Sequence, residues 1–393
     1  MTTRRKLIIT GSLAALGLYS YNRGLRYPRL SFEPLAHATA LTDSIGDVTL
    51  VDAIQIEQDA LCFRAIAPEP KISLYANKGK FAFYVNNISE DAVLDIQDKG
   101  ICDLEEEVRG IDRHITIETA NSQTINIGWK LPTKEQTKFA VIGDTGGNSE
   151  LDWCLTRAKS LGAQFLLHLG DFNYGLDDYE NAISKFHTAP LPCYISIGNH
   201  DFHDSGLIYQ QFLRQLGPMN NAFTLNGVRF VNLDTAADFF PAGSGNRGAL
   251  LNTLAQSPTE RQIFFTHRPF RDPRPGQDHT IGGVNEIPWL VNAISHAGGG
   301  HLLAGHVHHS TELDFSGLRQ YTVGEGLGHE DIVLQRQVAR ILVGTIEPER
   351  PVNFEWASLN MPWSLHRSHT HLLKLEKAKA QKTIDWYTKL HQA

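Results

Sequence analysis

The sequence predicts a mixed α/β (α+β) chain: an antiparallel β-sandwich followed by a layered α/β domain. Three observations predict it. Between residues 45 and 130, short segments alternate or cluster β-branched and aromatic residues between polar turns, at the spacing of sandwich strands and with no helical period. From Phe139 the rhythm changes to short apolar runs separated by helical stretches, as in strands covered by helices. Those apolar runs end repeatedly on Asp, Asn or His, at the place where α/β sheets hold their ligands.

Residues 1–40 read as an export signal and linker. "MTTRRKLIITGSLAALGLYSY" pairs Arg4 with Arg5, adds Lys6 and then runs apolar from Leu7 to about Leu18. That run is short for a bilayer span but suits the apolar region of a signal. Its start resembles the twin-arginine signal, which implies export to the periplasm or the extracellular space. Arg23, Arg26 and Arg29 follow the run, and the small residues Ala36, Ala38 and Ala40 lie far from it. Cleavage is therefore left open, with an uncleaved N-terminal anchor as the alternative; no other membrane span is expected.

Residues 41–135 form the expected sandwich, with strands at "LCFRAIA" (61–67), "KFAFYVNNI" (80–88), "AVLDIQ" (92–97), "HITIET" (114–119) and "TINIGWKL" (124–131). "PTKEQTK" (132–138) is the linker to the second domain, 136–350. There "LDWCLTRAKSL" (151–161) and "IPWLVNAISHA" (287–297) read as covering helices. The extension 351–393 contains "THLLKLEKAKAQKTIDWYTKLHQ" (370–392), an amphipathic helical pattern.

With 393 residues, 41% of them hydrophobic and 20% charged, the chain has ample core for two domains. A net charge of -7 with scattered Lys and Arg excludes the electrostatic footprint of a nucleic-acid binder. Cys62, Cys102, Cys154 and Cys193 have no C-x-x-C spacing, which argues against a zinc ribbon. A Cys62–Cys102 disulfide and buried free thiols are both compatible with export. The unusual count is histidine: there are 18, concentrated in "GNHDFHD" (198–204) and "GHVHH" (305–309).

The strand ends read, in order, "GDTGG" (143–147), "GDFNY" (170–174), "GNHD" (198–201), "FFTHRP" (264–269) and "GHVHH". Each offers an oxygen or imidazole side chain, and the flanking glycines let the backbone turn sharply. These are ligands for hard-to-borderline metals. About seven donors are too many for one ion and suit two ions sharing a carboxylate at roughly 3.5–4 Å. Any one block alone is equally well a turn, and His168, mid-strand, reads as a core histidine.

The five blocks in this order resemble the calcineurin-like metallophosphoesterases, and within them the purple acid phosphatases, over about residues 138 to 330. The resemblance implies an α/β/β/α layered domain. It also implies a first metal on Asp144, Asp171, Tyr174 and His308. The second would sit on Asp171 as the bridge, with Asn199, His267 and His306. A tyrosinate ligand points to ferric iron at the first site, since a phenol with pKa near 10 needs a strong Lewis acid to lose its proton. The second ion is zinc, manganese or ferrous iron. His200 matches the family's proton donor to the leaving oxygen, and His279, in "RPGQDHTIGG", stands where a second outer histidine is often kept. Asn199, His200 and Arg268 are the candidate substrate contacts, with surface charge as the plain reading of Arg268. Asp201 and Asp234 are candidates to orient ligand histidines. The implied activity is hydrolysis of small phosphomonoesters by hydroxide held between two metals. An exported phosphodiesterase or phospholipase-like alkaline phosphatase of the same superfamily is the alternative, and a non-catalytic binding protein on the scaffold is the third reading.

Overall fold

A computed structural model of the chain describes residues 35–38, 45–56, 61–96, 98, 100–132, 135–175, 177–202, 208–236, 243, 245–281, 286–328 and 339–361. The expected export signal, apart from residues 35–38, and the expected C-terminal helix lie outside the described residues.

The first body is a sandwich of two five-stranded sheets. One has the order β1 (Leu35–Ala38), β2 (Ile45–Val51), β5 (Lys71–Ala76), β10 (Gln123–Lys130), β7 (Val93–Ile96). The other runs β3 (Ala53–Gln55), β4 (Cys62–Ala65), β6 (Gly79–Asn86), β9 (Asp112–Thr119), β8 (Ile101–Arg109). A period of two sorts each strand: in β5, Ile72, Leu74 and Ala76 are buried while Lys71 and Tyr75 face out. The inward residues meet as one core that includes Phe63, Phe83, Ile115, Ile117, Ile127 and Trp129. The expected antiparallel pattern holds for every pair but one. β4 and β6 pair in parallel, because the chain between them crosses to the other sheet to form β5 and returns in the same direction.

The expected alternative of a Cys62–Cys102 disulfide is corrected by this order, and all four cysteines are free. β4 and β8 are separated by β6 and β9. Three strand spacings amount to about 14 Å, twice the roughly 7 Å beyond which Cα atoms cannot be bridged.

The second body has four layers. One sheet has the order β13 (Cys193–Ile195), β12 (Phe165–His168), β11 (Thr137–Ile142), β20 (Arg340–Ile346), β21 (Asn353–Ser358). The other has six strands: β14 (Asn221–Leu225), β15 (Val228–Leu233), β16 (Gln262–Thr266), β17 (His301–Ala304), β19 (Leu318–Val323), β18 (Ser310–Phe315). The sheets pack face to face through Phe139, Val141 and Phe165 against Phe230, Phe265 and Leu303. Helices α1 (Ser149–Ser160) and α2 (Asp178–His187) belong to the first sheet, followed by the short α3 (Ile208–Gln215). Helices α4 (Gly245–Leu254) and α5 (Glu286–His296) cover the second. Alternation decides which core each residue enters: Phe230 points between the sheets, while its neighbour Val231 points to α4 and α5. A strand buried on both faces therefore reads as a continuous apolar run. Strand pairing carries the first body back to Leu35 and the second forward to Ser358, past the expected limits at 41 and 350.

A polar junction joins the bodies. Arg64, fully buried, donates to Asn86 Oδ1 (2.6 Å), Cys193 O (3.2 Å) and Phe186 O (3.5 Å). The Asn87 side chain accepts from Cys193 N (2.8 Å) and donates to Cys193 O (3.1 Å). It pairs with the edge strand β13 as a neighbouring strand would.

Candidate metal centre

Five strand ends converge where the two sheets meet. β11 ends at Asp144, β12 at Asp171 and β13 at Asn199; β16 delivers His267, and β17 delivers His306 and His308. The tips are tied by backbone bonds, with Asp144 N donating to Gly170 O (2.9 Å), Gly143 N to Val323 O (2.9 Å) and Gly305 N to His267 O (2.8 Å). Close approach explains the glycines. A Cβ at Gly170, where φ is +88°, would stand 2.5 Å from Gly198 N. Asp144, Asp171 and His306 themselves have φ of +60°, +59° and +66°. That left-handed conformation costs about 1–3 kcal/mol each and persists only where surroundings impose it.

Three groups gather on one side. The Tyr174 hydroxyl lies 3.3 Å from Asp144 Oδ1, 3.2 Å from Asp171 Oδ2 and 3.3 Å from His308 Nε2. His308 Nε2 is 3.6 Å from Asp144 Oδ1. On the other side His267 Nε2 lies 2.8 Å from Asn199 Oδ1 and 3.4 Å from Asp171 Oδ1. The His306 ring is 5.0 Å from the His267 ring. Donor atoms of Asp171, His267 and His306 all fall within 4.8 Å of one another. Asp171 thus stands between the two groups with one oxygen facing each.

The donor set fits cations. His267 Nδ1 lies 2.8 Å from the Leu169 carbonyl, which only accepts, so that nitrogen carries a proton. Its Nε2 then faces Asn199 Oδ1 and Asp171 Oδ1, and a proton or a metal ion reconciles the three converging lone pairs. Burial alone would depress this imidazole, but the adjacent Asp171 overcomes it and raises the pKa to about 9. Burial raises the Asp144 carboxyl despite His308 and His267 nearby. Burial, Asp144 and Asp171 together hold the Tyr174 phenol well above its ordinary value, so its ionisation needs a strong Lewis acid.

The remaining expected residues lie around this cluster. His200 donates its backbone N–H to Asp171 Oδ1 (2.8 Å), and its partly exposed ring lies 4.5 Å from the Tyr174 ring. The His279 ring is 6.1 Å from that of His306. Arg268 Nη1 reaches the Thr280 carbonyl at 3.5 Å. Burial first, then the charges of His267 and Arg268, push the His306 imidazole far below its ordinary range.

Asp201 departs from the expectation that it orients an imidazole. Its carboxylate accepts from the backbone N–H of Asp171 (3.0 Å), Phe172 (3.0 Å) and Gly198 (2.7 Å), clasping two metal-site loops together. Asp234 accepts from Ala236 N (3.0 Å) in its own turn. Two further supports are Asp178, which has no reading in the sequence, and His168, which reads there only as a core residue. Asp178 Oδ2 accepts from Tyr174 N (3.1 Å) and Gly175 N (3.0 Å), fixing the turn that presents the phenol. His168 is indeed buried; its Nδ1 accepts from Gly170 N (3.2 Å), so its Nε2–H faces Thr145 Oγ1 at 2.9 Å, beside Asp144. The only local signal for either was a polar residue one turn from a motif.

Residues 137–310 match the family model of the calcineurin-like phosphoesterases. No curated protein matches the chain. Among solved structures, a dimetal phosphatase from Danio rerio is similar at 15% identity, with 57% of this chain and 96% of that one covered and a TM-score of 0.42. GAP50, the anchor in the inner membrane complex of Plasmodium, is similar at 15% identity over 58% of this chain and 86% of that one, with a TM-score of 0.43. The structure of PhoD is similar at 12% identity over 78% and 88%, with a TM-score of 0.41.

Proposed function

We propose that this chain, whose residues 137–310 are a calcineurin-like phosphoesterase domain of the metallophosphoesterase superfamily, hydrolyses small phosphomonoesters in the manner of a purple acid phosphatase. One observation carries the reading. The Asp171 carboxylate lies between the Tyr174–Asp144–His308 group and the Asn199–His267–His306 group, 3.2 Å from the Tyr174 hydroxyl and 3.4 Å from His267 Nε2. That is the position of a ligand shared by two ions.

Asp144, Asp171, Tyr174 and His308 would hold a ferric ion, and Asp171, Asn199, His267 and His306 a zinc, manganese or ferrous ion. Such a pair supplies charge neutralisation for phosphoryl oxygens and activation of water. The chain's own residues do the rest. Asp201 holds the Asp171 and Asn199 loops together, and Asp178 fixes the turn that presents Tyr174. Arg268 adds positive charge near His306, which favours the dianion of a monoester over the monoanion of a diester. His200, partly exposed beside Tyr174, would give a proton to the leaving oxygen, a contribution worth about 10²–10⁴ in rate. We further propose export by the twin-arginine route, a reading that rests on Arg4, Arg5 and the apolar run after them. Among the described residues no helix is long and apolar enough to cross a membrane.

The test pairs chemistry with colour. The purified protein is expected to contain iron and to show a broad visible band that disappears in Tyr174→Phe. It should cleave an aryl phosphomonoester faster than the matching diester. A colourless, iron-free protein with full activity would remove the tyrosinate assignment, and a faster diester reaction would favour the phosphodiesterase.

A further inference from the structure

The loop after His267 contains a clamp that the metal cluster does not require. Its root is fixed by Gln320, a fully buried side chain of β19. Gln320 Oε1 accepts from Phe270 N (3.0 Å) and Arg271 N (3.1 Å), and its Nε2 donates to Arg271 O (2.8 Å). Beyond that root, Asp272 organises the loop. Its Oδ1 accepts from Arg274 N (2.9 Å) and Nε (3.1 Å), and its Oδ2 from Arg274 Nη2 (3.0 Å) and His279 N (3.0 Å). The side chains of Asp272 and Arg274 are only 2% and 6% exposed, whereas that of His279 is 50% exposed. Two buried charged groups thus mount one accessible imidazole.

The mounting determines which nitrogen carries the proton. Arg274 Nη2 lies 2.6 Å from His279 Nδ1. A guanidinium has five donors and no acceptor, so Nδ1 must offer its lone pair. Asp272 Oδ2 is farther, at 3.2 Å, and already accepts two N–H groups. A ring whose Nδ1 lone pair is taken by a cationic donor is neutral, with its only proton on Nε2.

We infer that Asp272 and Arg274 are positioning residues that hold His279 as the neutral Nε2–H tautomer, so that it binds a phosphoryl oxygen as a hydrogen-bond donor and does not protonate the leaving group. This rests on the phosphoesterase reading above and divides the labour of its two outer histidines. Donating the Nε2 proton outright would leave an imidazolate, and taking up a second proton on Nδ1 would require expelling Arg274. His200, whose ring is 4.5 Å from that of Tyr174, keeps the role of acid. His279 instead contributes one charge-assisted hydrogen bond, which develops its value in holding the substrate.

The test has a spectroscopic and a kinetic arm. Nitrogen-15 NMR of the metal-loaded protein, with His279 assigned by its loss in His279→Gln, is expected to show a neutral ring protonated at Nε2. In Arg274→Met that preference should be lost while metal content stays unchanged. His279→Ala should reduce kcat/KM about 10- to 100-fold, mainly through KM, as loss of a hydrogen bond to a charged group predicts. The factor should be the same for aryl phosphates with good and poor leaving groups. An Nδ1–H or doubly protonated His279, or a loss that grows steeply as the leaving group worsens, overturns the proposal. If no phosphoester is hydrolysed at all, the phosphoesterase reading fails, and the tautomer still decides whether the clamp exists.

Discussion

The junction between the two bodies and the cluster at the strand tips both bury polar side chains, to opposite effect. At the junction, Arg64, Asn86 and Asn87 meet main-chain groups of β13 and the end of α2 with donor facing acceptor. There the Nη groups of Arg64 and the amides of Asn86 and Asn87 meet complementary main-chain or side-chain partners. At the strand tips, Asp144, Asp171, Asn199 and the imidazoles face each other lone pair to lone pair. The same burial that makes the first region stable makes the second a site for cations. Satisfied polar burial builds architecture, whereas convergent burial of like donors builds affinity for something else.

The largest expected effect separates these roles at Asp171. Asp171→Ala should abolish phosphoester hydrolysis, a loss well beyond the roughly 10–100-fold typical of outer partners of metal ligands. Metal content should fall with it, since Asp171 faces both groups of donors. A variant that retains both ions and substantial turnover would contradict the shared-ligand position.

Asn87 should behave in the reverse way. It sits at φ +71° and pairs with both main-chain groups of Cys193. Asn87→Gly keeps the backbone conformation accessible but strands those buried groups, at a cost of about 2–5 kcal/mol in a denaturation experiment. Metal stoichiometry of the surviving folded protein should not change. Asn87→Ala should be worse by about another 1 kcal/mol, because alanine also resists the left-handed conformation. Equal losses for the two variants would remove the conformational part of that account.

Asp201 lies between the extremes, since it belongs to neither metal group yet clasps the loops of Asp171 and Gly198. Asp201→Asn leaves one acceptor oxygen where two now serve three N–H groups. Turnover is expected to fall about 10–100-fold with both ions still bound; metal analysis beside steady-state kinetics checks it.

What the sequence made legible follows the same division. Asp144, Asp171, Asn199 and His306 could be read because each follows an apolar run and a glycine, a local pattern. The layered α/β character was legible too, in apolar runs such as "VRFVNL", which is buried along most of its length, while the α/β/β/α order came from the family resemblance. The supports were not. Asp201 acts on backbone groups 30 and 29 positions earlier, and Arg64 acts on Cys193 across 129. Such partners are set by sheet order, which periodicity does not encode. The parallel pairing of β4 with β6 and the distance between Cys62 and Cys102 were hidden for that reason.

The smallest effect tests whether a buried carboxylate whose penalty is only partly offset by a cation is a net cost. Asp52, in the turn between β2 and β3, is pushed up to about 6 by its burial, with Lys71 offsetting only part of this. An acid whose folded pKa exceeds its unfolded value near 4 favours the native state while it is protonated. That contribution is complete below about pH 4 and is lost as pH rises through 6, where the carboxylate ionises in place. Two pH units correspond to about 3 kcal/mol at most, and partial exposure reduces this to roughly 1–2 kcal/mol. Asn tolerates the left-handed backbone at this position, where φ is +57°. Asp52→Asn should therefore be more stable than the parent by urea denaturation at pH 7.5, and the advantage should vanish by about pH 4. The Asp144 carboxyl is raised by burial in the same direction, yet replacing it removes a metal ligand. Equal stability of the Asp52 variant and the parent at both pH values would mean that burial alone imposes no penalty in the sandwich, and the contrast between the two regions would lose its electrostatic basis.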